Sequence, residues 1–298
     1  MAQLLATAEE LGLHVAGVSF HVGSGSSSGD AFKDAVARAA AVFELAAKNG
    51  HPMSILDVGG GFPGVDSPEV SFRTMADALR SALQKHFPKE RGVRVIAEPG
   101  RFFASPTHTL AASVIGKKIV QLRADEGAAT GNATGNAEGD SRYDAAAEGS
   151  LAVTAERINY YINDGLYGSF NCVLYDHATP EVNVLPTPGE TTAAVDEPPT
   201  AADDAPLACV WGPTCDGIDC VISDAKLPPL QVGSWLYFPD MGAYTACAGS
   251  NFNGMDLPNI VYLQARGNDR TPKPPDEAAA AMLAQLAEEG VTPAPELK

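Results

Sequence analysis

The chain has 298 residues, 45% of them apolar and 19% charged, which is enough for two domains with a sizeable core. Its 37 acidic residues outnumber its 20 Lys and Arg residues, giving a formal net charge of −17. This sign argues against nucleic acid and anionic membranes as partners, because both are negatively charged. It is compatible with a cationic small-molecule substrate.

The sequence contains no apolar run of membrane-spanning length, and residues 1–10 lack the basic and apolar regions of a secretory signal. Its five cysteines form no CxxC pair. We therefore expect neither a disulfide framework nor a metal site. The default location is the reducing cytoplasm.

The first hundred residues repeat one pattern three times. Apolar, β-branched runs predict strands at 15–20, 54–58 and 93–97, each followed by glycine or polar residues. Apolar spacing predicts helices over 30–49 and 72–87. A strand and a helix every ~40 residues is typical of βα units, so we expect parallel strands with the polar residues gathered at their carboxyl ends.

After residue 107 the pattern changes to short strands separated by turn residues. These strands are expected at 113–122, 157–163, 169–176, 208–212, 220–224, 233–238 and 259–264. Segments 124–155 and 179–206 are rich in small, polar and acidic residues or proline, and we interpret both as solvated, disordered insertions.

These patterns divide the chain into three parts. Residues 1–107 form a partial barrel, residues 108–267 a β domain, and residues 268–298 a tail with a short helix that ends before Gly290. Three βα units are too few for a closed eight-stranded barrel.

Three strand ends of the first part carry groups that suit an anion. Gly59, Gly60 and Gly61 allow close approach of backbone N–H groups, although a tight turn explains them equally well. Arg101 offers a bidentate guanidinium and Ser24 a hydroxyl. Together they predict a phosphate site.

Glu98 and His21 follow two of the same strands. A carboxylate inside a barrel mouth needs a cationic partner, which is either a nearby basic side chain or the protonated ring nitrogen of a cofactor. His21 is either a capped core histidine or a ring that stacks on an aromatic ligand.

The β part contributes three further motifs. WGPTCDGID (211–219) presents Cys215 beside Asp216, and LYDHA contains Asp176. The two aspartates are candidates for binding a substrate ammonium, with solvated loop aspartates as the alternative. GAYTACAGSNFNG (242–254) is suited to close helix packing, with Tyr244 as a polar group.

Taken together, HVGSG, DVGGGFPG, AEPGRFF, NDGLYGSFNC and the three motifs above resemble the ornithine decarboxylase branch of the fold-III pyridoxal-phosphate decarboxylases, over residues 15–262. The resemblance implies the C-terminal part of a (β/α)8 alanine-racemase-like TIM barrel, followed by a β-sandwich or β-barrel domain. It also implies decarboxylation of L-ornithine to putrescine with pyridoxal 5′-phosphate.

The resemblance implies a role for each matching residue. The cofactor would be bound by His21, Ser24, Gly59, Gly60, Gly61, Glu98, Pro99, Gly100, Arg101 and Tyr244. The substrate would be bound by Tyr167, Tyr175, Asp176 and Asp216. Cys215 would return the proton to Cα, and His21 would stack on the cofactor ring. The implied assembly is a homodimer with shared active sites, open to an antizyme-type regulator.

One departure concerns the Schiff-base lysine, which precedes the HVGSG motif in the family. Lys33 and Lys48 fall in a predicted helix, and Lys117 and Lys118 in the β part. We therefore expect a truncated form that is inactive alone. The alternatives are a non-catalytic regulator resembling the antizyme inhibitors and a decarboxylase of a related diamino acid such as lysine.

Overall fold

The computed structural model describes residues 1–123, 153–185 and 206–262, which fall into two compact units. The first unit comprises Met1–Leu110, Leu174–Ala178 and Phe238–Ala248. The second comprises the described residues of Ala111–Val173, Thr179–Tyr237 and Gly249–Lys298. None of the helices in these described ranges is long and apolar enough to cross a membrane.

The first unit is built on a three-stranded parallel sheet in the order β1-β2-β3, as the repeated pattern predicts. The strands are β1 (Gly17–Ser19), β2 (Ile55–Asp57) and β3 (Arg94–Ile96). The helices are α1 (Ala2–Glu10), α2 (Gly29–Lys48), α3 (Phe72–His86) and α4 (Gly100–Ala104), with 3₁₀ turns at Lys89–Arg91 and Ser105–Thr107. The sequence analysis did not predict α1.

Capping residues set the starts of the two long helices. The Ser28 side chain accepts a hydrogen bond from the backbone N–H of Asp30, and Ser71 does the same for Thr74. The apolar faces of α2 and α3 pack on the sheet in one core, formed by Phe32, Val36, Ala39, Phe43, Leu56, Val58, Phe62, Met75, Leu79, Ala82 and Phe87. This core holds the strand ends in place.

The second unit is organised around a six-stranded mixed sheet in the order β6-β9-β4-β5-β7-β8. Its strands are β4 (Leu110–Arg123), β5 (Val153–Ile162), β6 (Asn183–Leu185), β7 (Leu207–Trp211), β8 (Cys220–Lys226) and β9 (Trp235–Phe238). The β5–β7 pair is parallel, whereas β4–β5, β6–β9 and β7–β8 are antiparallel. Short helical turns occur at Cys172–Tyr175 (α5), Ala246–Ala248 and Phe252–Gly254.

The strand predicted at 169–176 is wrong, because turns and α5 occupy this segment. The Asp164 carboxylate accepts the backbone N–H of Ser169, and the Gly165 carbonyl accepts that of Phe170. These local bonds satisfy the backbone without a neighbouring strand.

Two further predictions need correction. Residues 259–262 form no strand, and 263–264 lie outside the described residues. The predicted insertions extend too far, since β5 begins at Val153 and residues 183–185 form β6. Residues 124–152 and 186–205 of the predicted insertions, and the predicted tail helix, lie outside the described residues.

Candidate active site

A cavity that opens to solvent lies at the carboxyl ends of the strands in the first unit. It is lined by His21, Ser24, Gly60, Gly61, Phe62, Glu98, Pro99, Gly100, Arg101 and Tyr244. The structure thus brings together nine of the ten residues predicted to bind a cofactor. Gly59 is buried and does not line the cavity, and Phe62 is the one lining residue that was not predicted from the sequence. Its aromatic ring follows the glycine run directly, which is a signal that could have found it.

The glycine run closes tightly on its neighbours. A Cβ at Gly60 would lie 2.7 Å from His21 Nε2 and 3.0 Å from the Glu98 carbonyl oxygen. A Cβ at Gly61, where φ is +102°, would lie 2.4 Å from Val22 Cγ2. Any side chain here would displace the histidine or the neighbouring loop, so the run keeps backbone exposed to the cavity.

Arg101 is held on three sides. Its Nη2 and Nε donate to Ser24 Oγ over 2.8 and 3.3 Å, and Nη2 also pairs with the Asp176 carboxylate. The guanidinium lies 4.5 Å from the centroid of the Tyr244 ring. The Arg101 and Asp176 side chains are only 21% and 22% exposed, so water screens their attraction weakly.

His21 and Glu98 both face solvent. His21 Nδ1 accepts the backbone N–H of Gly23 over 2.9 Å, which fixes the ring and assigns any proton of the neutral ring to Nε2. The backbone N–H of Glu98 donates to the Gly59 carbonyl. Its carboxylate forms no ion pair within the described part of the chain. Of the two partners considered for it, a basic side chain is therefore not found among the described residues, and pairing with a cofactor ring nitrogen stays a prediction.

A second cluster, in the second unit, contains the predicted thiol and carboxylate. The Tyr167 hydroxyl donates to Asp216 Oδ2 over 2.5 Å, and its ring stacks on Phe252 with 4.1 Å between centroids. Asn253 Nδ2 donates to Cys215 Sγ over 3.7 Å. The Tyr167 bond, followed by the backbone N–H of Ile218, lowers the pKa of Asp216. Asp216 is therefore ionised at neutral pH, as a group that binds an ammonium must be.

Asp219 fixes the loop that carries this cluster, and the sequence analysis missed it. The residue is fully buried, and its carboxylate accepts the backbone N–H of Leu166 and both the N–H and hydroxyl of Thr214. A Cβ at Gly212 would lie 2.3 Å from Asp219 Oδ1. In the sequence, the signals that could have pointed to Asp219 are the apolar Ile218 before it and the preceding Gly217. An ordinary turn shows the same pattern.

Asp164 is the neighbouring buried carboxylate. Its Oδ1 accepts the backbone N–H groups of Gly165 and Ser169, whereas its Oδ2 is buried without a partner among the described residues. Burial raises the pKa of Asp164, and the nearby Asp219 charge acts in the same direction. The hydrogen bonds from Ser169 and Gly165 oppose this shift.

The predicted substrate residues are thus divided between two clusters, one in each unit. Asp176 belongs to the first unit with Arg101, whereas Tyr167 and Asp216 belong to the second. Tyr175 is 81% exposed and does not line the cavity. That Asp176 and Asp216 bracket one ammonium stays a prediction.

The glycine-rich strand ends, guanidinium and hydroxyl define a site of the kind with which parallel α/β proteins bind phosphate-bearing ligands. Comparison with known families agrees with a site for a phosphate-bearing ligand. Residues 1–105 match the pyridoxal binding domain of pyridoxal-dependent decarboxylases, and residues 102–242 match their C-terminal sheet domain. The chain belongs to the pyridoxal-dependent decarboxylase family, whose cofactor is pyridoxal 5′-phosphate.

Individual relatives come from two functional groups. Ornithine decarboxylase of Cricetulus griseus is 40% identical over 88% of this chain and 50% of its own length. Antizyme inhibitor 2 of Xenopus laevis is 39% identical over 89% and 51%. The cadaverine complex of lysine/ornithine decarboxylase from Vibrio vulnificus superposes with a TM-score of 0.65 at 28% identity, over 89% of this chain and 59% of that structure. The chain spans about half the length of the curated relatives it matches.

Proposed function

We propose that the protein is a decarboxylase that converts L-ornithine to putrescine and CO₂ with pyridoxal 5′-phosphate. The observation that carries this proposal is the cavity, which combines an arginine, a serine hydroxyl, a glycine run, an exposed imidazole and a solvated carboxylate. We further propose that its three βα units belong to an eight-stranded barrel and that the second unit is the β domain.

The residues of the cavity fit the cofactor group by group. Arg101 and Ser24 suit the phosphate, with the Gly60–Gly61 backbone exposed because no Cβ fits there. The His21 ring is held by its Nδ1 bond and faces solvent, so it is free to stack on a pyridine ring. The Glu98 carboxylate is available to hold a proton on the ring nitrogen.

When bound, the cofactor supplies an electron sink for the electrons left behind as CO₂ departs. The Glu98 carboxylate would favour the protonated ring nitrogen on which this sink depends. Asp216, ionised and oriented by the Tyr167 hydroxyl, attracts the distal ammonium of the substrate. Cys215 holds the proton that returns to the substrate Cα, and the Asn253 amide orients its thiol.

None of the described residues that line the cavity is a lysine. These residues therefore hold the cofactor by reversible contacts alone. We expect this chain by itself to bind pyridoxal 5′-phosphate without turning over ornithine.

We also propose that the protein acts as a homodimer with shared sites and is open to an antizyme-type regulator. The exposed side chains of Cys215 and Ile218 on the β7–β8 loop support the dimer, because such a loop is accessible to a second subunit. Mixing a Cys215→Ala protein with an Arg101→Ala protein, both with the lysine-bearing barrel half present, tests it. Shared sites predict partial recovery of activity in the mixture, and no recovery would refute sharing.

The experiment that tests the proposed function is a fluorescence titration of the chain with pyridoxal 5′-phosphate. Arg101→Ala removes the guanidinium and should weaken binding about 10- to 150-fold, the effect of about 1.5–3 kcal/mol for a hydrogen bond to a charged group. Arg80→Ala removes an exposed arginine of α3 and is the matched control. Equal affinity of the two variants would refute the phosphate site.

A second candidate is a non-catalytic regulator, which the similarity to an antizyme inhibitor favours. Lysine decarboxylation is a further alternative, supported by the lysine/ornithine decarboxylase structure. Release of labelled CO₂ from ornithine and from lysine, measured on the protein with its lysine-bearing barrel half present, discriminates all three. Release from neither substrate would favour the regulator.

A further inference from the structure

Two cysteines outside both clusters lie in contact on adjacent strands. Cys209 of β7 and Cys220 of β8 have their sulfur atoms 3.7 Å apart. The β7–β8 register shifts on both sides of Val210, so this pair sits at an irregularity of the ladder. Cys209 is buried and Cys220 is half-buried, so a small molecule reaches the pair from the Cys220 side. The proposed decarboxylation uses neither thiol.

The surroundings of this pair favour a sulfur anion. Arg157 lies on β5, two residues from Asn159, which is the register partner of Cys209. Arg157 Nε and Trp211 Nε1 are buried and have no hydrogen-bond partner among the described residues. The Cys220 thiol, then the Arg157 charge and the Trp211 N–H, lower the pKa of Cys209, against burial and the charge of Asp224. The same interaction raises the pKa of Cys220, so Cys209 loses its proton before Cys220 does.

We propose that Cys209 and Cys220 are a redox-modification site that exchanges with a low-molecular-weight disulfide such as oxidised glutathione and closes an intrachain disulfide across β7 and β8. The two sulfur atoms need to approach by roughly 1.7 Å to reach the bond length of about 2.05 Å. Such a movement is within reach of side-chain rotation at an irregular ladder position.

The exchange proceeds in two balanced steps. Cys209, the thiolate of the pair, takes the proton of Cys220 as the half-buried Cys220 sulfur attacks one sulfur of the small disulfide, and a thiolate leaves and takes up a proton from solvent. Cys209 then loses its proton to solvent and attacks Cys220 Sγ, which releases the second thiolate, protonated in turn. Two cysteine thiols are oxidised to one disulfide, and one small disulfide is reduced to two thiols.

The electrostatics make this bond a labile one. Arg157 and Trp211 stabilise the thiolate but gain nothing from a neutral disulfide, so they favour the reduced pair. The disulfide therefore forms only when the oxidised form of the thiol buffer is abundant, and reduced glutathione reverses it. This is the behaviour of a regulatory disulfide rather than a structural one.

The disulfide would also affect the loop that carries the proposed proton donor, an effect that rests on the proposed function. The β7–β8 connection between the two cysteines carries Cys215 and Asp216. A disulfide at the base of this loop removes conformational freedom from it. We expect the oxidised loop to present Cys215 less readily to a reactant.

The test equilibrates the purified full chain in glutathione buffers of increasing oxidised fraction, alkylates it and maps the peptides by mass. We expect the peptides that contain Cys209 and Cys220 to become linked with loss of two hydrogens, whereas Cys172, Cys215 and Cys247 stay alkylated. Cys209→Ser and Cys220→Ser should each abolish the link, and the exposed Cys247→Ser is the matched control. Arg157→Gln should move the midpoint toward a more reducing buffer.

Absence of the linked peptide at the highest oxidised fraction, in the unmodified chain, would overturn the proposal. So would a stable glutathione adduct on Cys220 in the presence of Cys209. The loop consequence is read as the alkylation rate of Cys215, which should fall several-fold in the oxidised chain. An unchanged alkylation rate of Cys215 would refute the effect on the loop but not the formation of the disulfide. These readouts do not depend on turnover, so failure of the proposed function leaves them interpretable.

Discussion

The contact between Arg101 and Asp176 predicts a competition between a carboxylate of the protein and the phosphate of the cofactor. Asp176 occupies the guanidinium on which the proposed phosphate site depends. Asp176→Asn removes that negative charge and keeps the shape of the side chain. A phosphate and a carboxylate about 5 Å apart repel by roughly 3 kcal/mol per unit charge at an effective dielectric of ~20.

The full repulsion is not realised, because the displaced carboxylate can turn toward water. We therefore expect Asp176→Asn to bind inorganic phosphate and pyridoxal 5′-phosphate more tightly by about 1–3 kcal/mol, or about 5- to 150-fold. Fluorescence titration of the full chain at low salt measures this change. Asp34→Asn, which removes an exposed carboxylate paired with Arg38, is the matched control.

Unchanged affinity would show that Asp176 does not compete for Arg101. Weaker binding would refute the reasoning more strongly, since it would mean that Asp176 holds the guanidinium in the position that phosphate needs. Raising the salt concentration should shrink the difference between variant and native chain, because screening weakens the repulsion.

Three further predictions concern the second unit. In the protein with its lysine-bearing barrel half present, Cys215→Ala should slow product formation without weakening cofactor binding. Unchanged turnover would refute the role of Cys215 as proton donor. Asp219→Asn should lower the free energy of unfolding by about 1–3 kcal/mol in a urea titration, because its amide cannot accept all three donors, and the exposed Asp224→Asn should not. Asp164→Asn should stabilise the chain at pH 7. Because burial raises the pKa of Asp164 in the folded state, the penalty appears as the pH rises above the ordinary pKa of an aspartate in the unfolded chain. The gain should therefore vanish in acid.

The sequence predicted the cavity well because its lining follows strand ends. Apolar runs locate β1, β2 and β3, and parallel pairing gathers the residues after them at one edge. The contact between Arg101 and Asp176 was beyond this reasoning, because it joins residues 75 positions apart through a turn wrongly predicted as a strand. The Asp164 and Asp219 networks were missed for a related reason. Their partners are mostly backbone N–H groups, which leave no mark in a sequence.

The two aspartates proposed to bind the substrate ammonium differ in a way that residue type alone does not show. Among the described residues, the Asp216 charge is balanced only by neutral donors, the Tyr167 hydroxyl and the Ile218 N–H, so it is available to a cation. Asp176 is already neutralised by Arg101. A phosphate that takes its place on the guanidinium frees Asp176 to attract an ammonium. Cofactor binding should therefore strengthen substrate binding, and by linkage the substrate should strengthen retention of the phosphate to the same degree.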